Sequence, residues 1–129
     1  MAINCSGFDY KTQDARSGAA GGLLHVLKDV DVTTLSATEN LEITDNLLGF
    51  SKVAIQATWS GSSGTGSIAI EGSNDGINYD ALDAAVSASI SGASGSASAQ
   101  STNPMMYKFI RLVVTKQTSG TLNAYVTIK

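Results

Sequence analysis

The chain has 129 residues, a formal net charge of −3, 43% apolar residues and only eight Lys and Arg, which are scattered along it. That length suits one domain with a single modest core. The sparse cations offer no basic face to a phosphate backbone, and no run of about 18 apolar residues is present to span a membrane.

The single cysteine, Cys5, cannot close an intrachain disulfide and has no Cys or His companions at metal-ligand spacing, so it reads as a free thiol. Met1 to Cys5 lacks the basic and apolar regions of a secretion signal, which predicts synthesis and retention in the cytoplasm unless a particle carries the protein out. Much of the apolar content is Ala and Val, with one Trp, three Phe and four Tyr. Such side chains suit a thin core, a layer about 10 Å deep between two packed sheets.

Residues 1–22 hold few large apolar groups after Phe8 and Tyr10 and end in Ser17-Gly18-Ala19-Ala20-Gly21-Gly22. They read as an N-terminal extended arm, with residues 23–129 as the β-sandwich domain. Phe8 and Tyr10 are aromatic anchors that a purely solvated tail would not need, so the arm is expected to lie across the domain or dock on a neighbouring subunit.

From Leu23 the pattern becomes period two. Leu24, Val26, Val30 and Val32 form the expected inner face of a strand, and His25, Asp29 and Asp31 the polar one, with Lys28 as a misfit. Asn40 to Asp45 alternates in the same way, and Leu47, Leu48 and Phe50 follow around a turn at Gly49. Val53, Ile55, Ala57 and Trp59 then alternate with Ala54, Gln56 and Thr58. Ser60 to Gly66 has the composition of a turn and predicts a hairpin returning through Ser67 to Glu71. Asp75-Gly76 marks the next turn. Val86 to Ile90 reads as a short strand, and Ser91 to Thr102, a Ser/Gly/Ala tract, as a loop or flexible edge. Asn103-Pro104 leads into the strand Tyr107 to Thr115. Gln117 to Gly120 turns the chain back into a last strand, with Leu122, Ala124, Val126 and Ile128 inward and Asn123, Tyr125, Thr127 and Lys129 outward. Seven or eight short strands separated by Gly/Ser/Asn turns match an all-β fold, an antiparallel β-sandwich of jelly-roll-like form.

Four segments in order carry a resemblance: Ala57-Thr58-Trp59-Ser60-Gly61, then Ile70 to Tyr79, then Tyr107 to Thr115, then Thr118-Ser119-Gly120-Thr121. Together they resemble a β-sandwich domain of tailed-bacteriophage virion proteins, over about residues 53 to 129, and are more distantly similar to discoidin-like, galactose-binding-like sandwiches. Tyr79 stands where that domain usually has Trp, and the cysteine pair of discoidin domains is missing. Within this frame Asp75-Gly76 makes a turn, Tyr79 covers a strand, and Arg111 lies across the sheet with its guanidinium paired to a carboxylate.

The residues offer little catalysis. His25 is the only histidine, on the predicted polar face and far from Cys5 or any nucleophile-elbow pattern. Asp75 to Asp80 places oxygen ligands at alternate positions, but Val86 stands where a calcium loop needs its bidentate Glu. The carboxylate pairs Asp29/Asp31 and Glu39/Glu42 have no polar aromatic cleft beside them. Gly61 to Gly66 lacks the Lys and helix of a phosphate loop. No catalytic residue, metal or cofactor is therefore expected.

The resemblance implies a non-enzymatic virion structural protein, a capsid cement or decoration protein that binds the major capsid protein through its sandwich and arm as a homotrimer. Its expected place is the virion, after synthesis in the host bacterial cytoplasm, with neither nucleic acid nor membrane as partner. The alternatives are a tail, vertex or spike protein for receptor attachment, or a carbohydrate-binding module. Phe8, Tyr10, Trp59, Tyr79 and Tyr125 are the candidate partner-binding residues, the last three as stacking platforms for sugar, with packing or cross-strand pairing the favoured explanation of each.

Overall fold

A computed structural model describes residues 8–13, 22–43, 51–82 and 85–129, with side chains from residue 24 onward within those stretches. Among the described residues ten strands form: β1 (Phe8–Gln13), β2 (Gly22–Asp31), β3 (Thr38–Ile43), β4 (Val53–Ser63), β5 (Gly66–Ser73), β6 (Asp80–Ala81), β7 (Ser87–Ile90), β8 (Gly95–Gln100), β9 (Phe109–Thr115) and β10 (Ser119–Ile128). They build two antiparallel sheets, one ordered β1-β2-β10-β4-β8 and the other β3-β9-β5-β6, with β7 also paired to β5.

The pairing is nested. Strand β5 pairs with β7, β4 with β8, β3 with β9 and β2 with β10, while successive strands alternate between the sheets in between. A long antiparallel ribbon folded over on itself produces this order, which is the jelly roll.

Alternation explains why the two sheets close on each other. On β4 and β10 the inward residues Val53, Ile55, Ala57, Trp59, Leu122, Ala124, Val126 and Ile128 are all buried, as the period-two pattern predicts. They meet Leu41, Ile43, Ile68, Ile70, Ile110, Leu112 and Val114 from the second sheet in one continuous cluster. Each large aliphatic side chain removed from water here stabilises the fold by about 1.5–3 kcal/mol.

Strand β2 departs from the expected alternation. Val30 lies opposite Leu122 and Leu27 opposite Ala124, so Lys28 and Asp29 together face the single residue Asn123. This is a β-bulge, and the extra residue switches which side chains point inward. Asp29 takes a left-handed φ of 52°, and its N–H donates to Asn123 Oδ1 at 2.8 Å. Above the bulge Val30 and Val32 are buried as expected; below it His25 and Leu27 take the inner face. His25 is therefore 3% exposed, which corrects its expected place on the polar, exposed face of the strand. Leu24 and Val26 move to the outer face, opposite Thr127 and Tyr125.

Two expected hairpins are crossovers. After Ser63 the chain passes from the first sheet to the second, and after Thr115 it passes back. The reason is occupancy: β4 already has β10 and β8 on its two edges, and β10 has β2 and β4, so neither has an edge left for its neighbour in sequence. The two corners lie together, Thr118 N–H donating to Ser63 O at 3.0 Å and the Ser63 and Ser119 hydroxyls meeting at 2.8 Å. By contrast, the Asp75-Gly76 turn does close a β5–β6 hairpin, with Gly76 at φ 74°.

The Ser/Gly/Ala tract supplies β8, the outermost strand beside β4. Ala97 and Ala99 lean on the core, and the intervening serines face out. At the opposite edge, β1 pairs with β2 and sets Phe8 opposite Leu27 and Tyr10 opposite His25. The expected corner at Leu47 to Phe50 lies outside the described residues.

Candidate ligand groove on the outer face of the first sheet

The sheet that buries Ile55, Ala57 and Val126 must present their neighbours to the other side. On that outer face Tyr125, Gln56 and Ser98 form one row across β10, β4 and β8, and Thr127, Ala54 and Gln100 form the next. Together they line a groove of about 510 Å³. Tyr125 is half-buried in its wall, while Gln56, Ser98, Gln100 and Thr127 are exposed. None of these polar side chains is paired with another group among the described residues. Two primary amides, two hydroxyls and a phenol ring thus converge with their bonding capacity open.

A second outward feature is the end of the sandwich formed by residues 73–79 and 101–108. Asp75 organises it: Oδ1 accepts from Ile77 N and Asn78 N at 2.8 Å each and from Ser73 Oγ at 2.8 Å, and Oδ2 accepts from Asn78 Nδ2 at 2.8 Å. The carboxylate is engaged by the turn, which explains an acid at this position without a cation. Lys108 N–H donates to Asn74 Oδ1 at 3.1 Å and ties the two loops together. Ile77 is 80% and Met106 91% exposed, with the edge of Phe109 beside Gly76. A cavity of about 310 Å³, walled in part by Leu82, Met105 and Tyr107, opens here.

The backbone N–H of Asn78 and that of Ile77, with the Asn78 amide and the Ser73 hydroxyl, hold the Asp75 carboxyl well below the usual carboxylate range. A depressed folded-state pKa contributes stability in full above the unfolded value, about 4, and loses it as pH falls further. Urea midpoints followed down from about pH 4 should therefore fall less in Asp75→Asn than in the parent chain. Equal acid-side declines would show that these hydrogen bonds do not favour the ionised form.

No family model matches the chain, and no curated protein matches it. Among solved structures it is similar to the Clostridium thermocellum N-terminal endo-1,4-beta-D-xylanase 10B, solved as CBM22-1 and GH10 modules with xylohexaose; the identity is 13%, the TM-score 0.44, and the match covers 97% of this chain and 25% of that one. The chain thus spans about a quarter of that protein's length. At this level of likeness neither the ligand nor the activity of the xylanase transfers.

The residues singled out from sequence are not brought together. Tyr125 lies in the groove. Trp59 faces the core, 8% exposed, with its ring against Gly95. Tyr79 lies on the outer side of the second sheet under the Arg111 guanidinium, 4.4 Å from ring centroid to Cζ, and Arg111 pairs with Glu71 at 2.6 Å. Burial and the nearby Glu42 carboxylate raise the Tyr79 phenol above its usual range, against the opposing pull of Arg111. The backbones of Phe8 and Tyr10 lie in β1, and their side chains fall outside the described residues. Gln56 reads from sequence only as an outward strand position, and Ser98 and Gln100 only as part of a loop or flexible edge, because polar residues on an outward strand face carry no binding signal until the sheet order sets them side by side.

Proposed function

We propose that the chain is a non-catalytic recognition module that binds saccharide in the groove around Tyr125. The observation that carries this reading is the company of that ring: an amphipathic aromatic wall flanked by unpaired amides and hydroxyls on three rigid, adjacent strands. Sugars present apolar C–H faces that pack on such rings and hydroxyls that exchange hydrogen bonds with such amides. The strands fix where these side chains originate, so the ordering cost on binding falls mainly on the two exposed Gln side chains, about 0.5–1.5 kcal/mol each. A glycan array tests the reading. Binding to at least one oligosaccharide class, weakened at least tenfold by Tyr125→Ala and unaffected by Tyr79→Ala, is the expected result. An array with no binder, or a Tyr125→Ala protein that binds as well as the parent, would overturn it.

A second reading is favoured by the sandwich end, where Ile77 and Met106 are exposed on loops fixed by Asp75 and Asn74. Apolar groups on rigid loops suit a protein contact. With the virion-domain resemblance, this supports a cement or decoration protein that docks on the major capsid protein as a homotrimer and reaches the virion from the host cytoplasm. Cosedimentation with capsids that is lost in Ile77→Asp/Met106→Asp would support it. Recovery only as free protein would exclude it. The two readings use opposite demands on the surface, polar groove against apolar loop end, so one set of variants separates them.

A further inference from the structure

We infer that the groove takes an anionic saccharide, with the sugar ring against Tyr125 and a carboxylate or phosphate group on Lys52 and Lys129. This deepens the saccharide reading and rests on it. The groove does not stop at Thr127. Ala54, Gln100 and Thr127, which wall its end, also wall a second recess of about 150 Å³ whose far side is Lys52, Lys129 and Ser101. The two recesses form one path along β4, β8 and β10, aromatic at one end and cationic at the other.

The lysines are held there by the ladder. Lys52 N–H donates to Lys129 O at 2.9 Å and Lys129 N–H to Lys52 O at 2.9 Å, so the two residues are directly opposed. Val53 and Ile128 beside them point into the core, so both lysine side chains point outward, on the same face as Thr127 and Tyr125. Like charges directly opposite across two strands repel. Neither ammonium has a partner among the described residues, and neither recess is lined by an Asp or Glu. In a chain of net charge −3, two lysines set side by side with no Asp or Glu lining their recess, at the end of a neutral polar groove, complement an oxyanion. They also disfavour an uncharged ligand no more than water does, so neutral sugars bind, only less tightly.

The test uses the full chain on an array carrying uronate oligosaccharides, phosphorylated oligosaccharides and the uncharged counterpart of each. The acidic member of a matched pair should bind about tenfold more tightly at low salt, as two exposed ion pairs allow, and the advantage should vanish at high salt. Which acidic arm wins identifies the oxyanion. The Lys52→Gln/Lys129→Gln double variant should keep its neutral binding and lose the acidic preference; both side chains are exposed, so its fold and thermal midpoint should match the parent. Equal binding of acidic and neutral members, or a preference that survives the double variant, overturns the inference while leaving the saccharide reading in place. Absence of all binding removes both.

Discussion

Leu112→Ala should lower the unfolding free energy by about 2–5 kcal/mol. Leu112 is 1% exposed, in the middle of β9, and its register partners Leu41 and Ile70 are equally buried on either side. Truncation therefore removes methyl groups from a row that β3 and β5 hold at fixed spacing, and the row cannot collapse into the gap. Against a total of about 5–15 kcal/mol for a domain, this shifts the urea midpoint far more than it shifts the slope. Val113→Ala, one residue along and half-buried on the outer face, should change stability by less than about 1 kcal/mol. Similar losses at the two positions would contradict the assignment of faces on β9.

Gly120→Ala should combine backbone strain with a backbone clash at the crossed corners and cost more than Gly61→Ala. Gly120 has φ 120°, and an added Cβ would sit 2.7 Å from Ser62 Cα and 3.0 Å from Ser60 O. Both neighbours are backbone or backbone-bound atoms of β4, so no flexible side chain can yield. The strained dihedral costs about 1–3 kcal/mol, and overpacking adds about 1–3 kcal/mol. Gly61→Ala is the matched control: φ is 58°, yet nothing lies within 4 Å of the new atom. It should cost only the left-handed penalty, about 1–2 kcal/mol. Equal thermal shifts for the two variants would mean that the β9–β10 corner does not pack on the end of β4.

The sandwich was legible wherever one face of a strand is buried and no residue is inserted. Val53 to Trp59 and Leu122 to Ile128 each follow a strict alternation, and the buried positions match it residue by residue. The alternation misleads on β2, because a bulge leaves no mark in composition when the left-handed residue is Asp29 rather than Gly. Turn composition also fails to separate a hairpin from a crossover. Ser63 to Gly66 and Gln117 to Gly120 have the residues for both, and the outcome depends on which strand edges other parts of the chain have already taken. Of the groove, sequence showed Gln56, Tyr125 and Thr127 as separate outward positions and only Tyr125 as a candidate for binding. The groove's walls beyond β10 come from β4 and from the Ser/Gly/Ala tract, which pairs with β4 across some forty residues of sequence. The Arg111–carboxylate pair expected from the motif is present with Glu71, stacked on Tyr79.

The proposed function rests on the outward residues of three adjacent strands, and amide and side-chain NMR shifts recorded while an array-positive oligosaccharide is titrated into the full chain test that most directly. The account predicts perturbations that trace Gln56, Ser98, Gln100, Tyr125 and Thr127 and leave the Ile77 and Met106 loops unchanged. Shifts concentrated on those loops, or spread over the outer face of the second sheet around Tyr79 and Arg111, would contradict it.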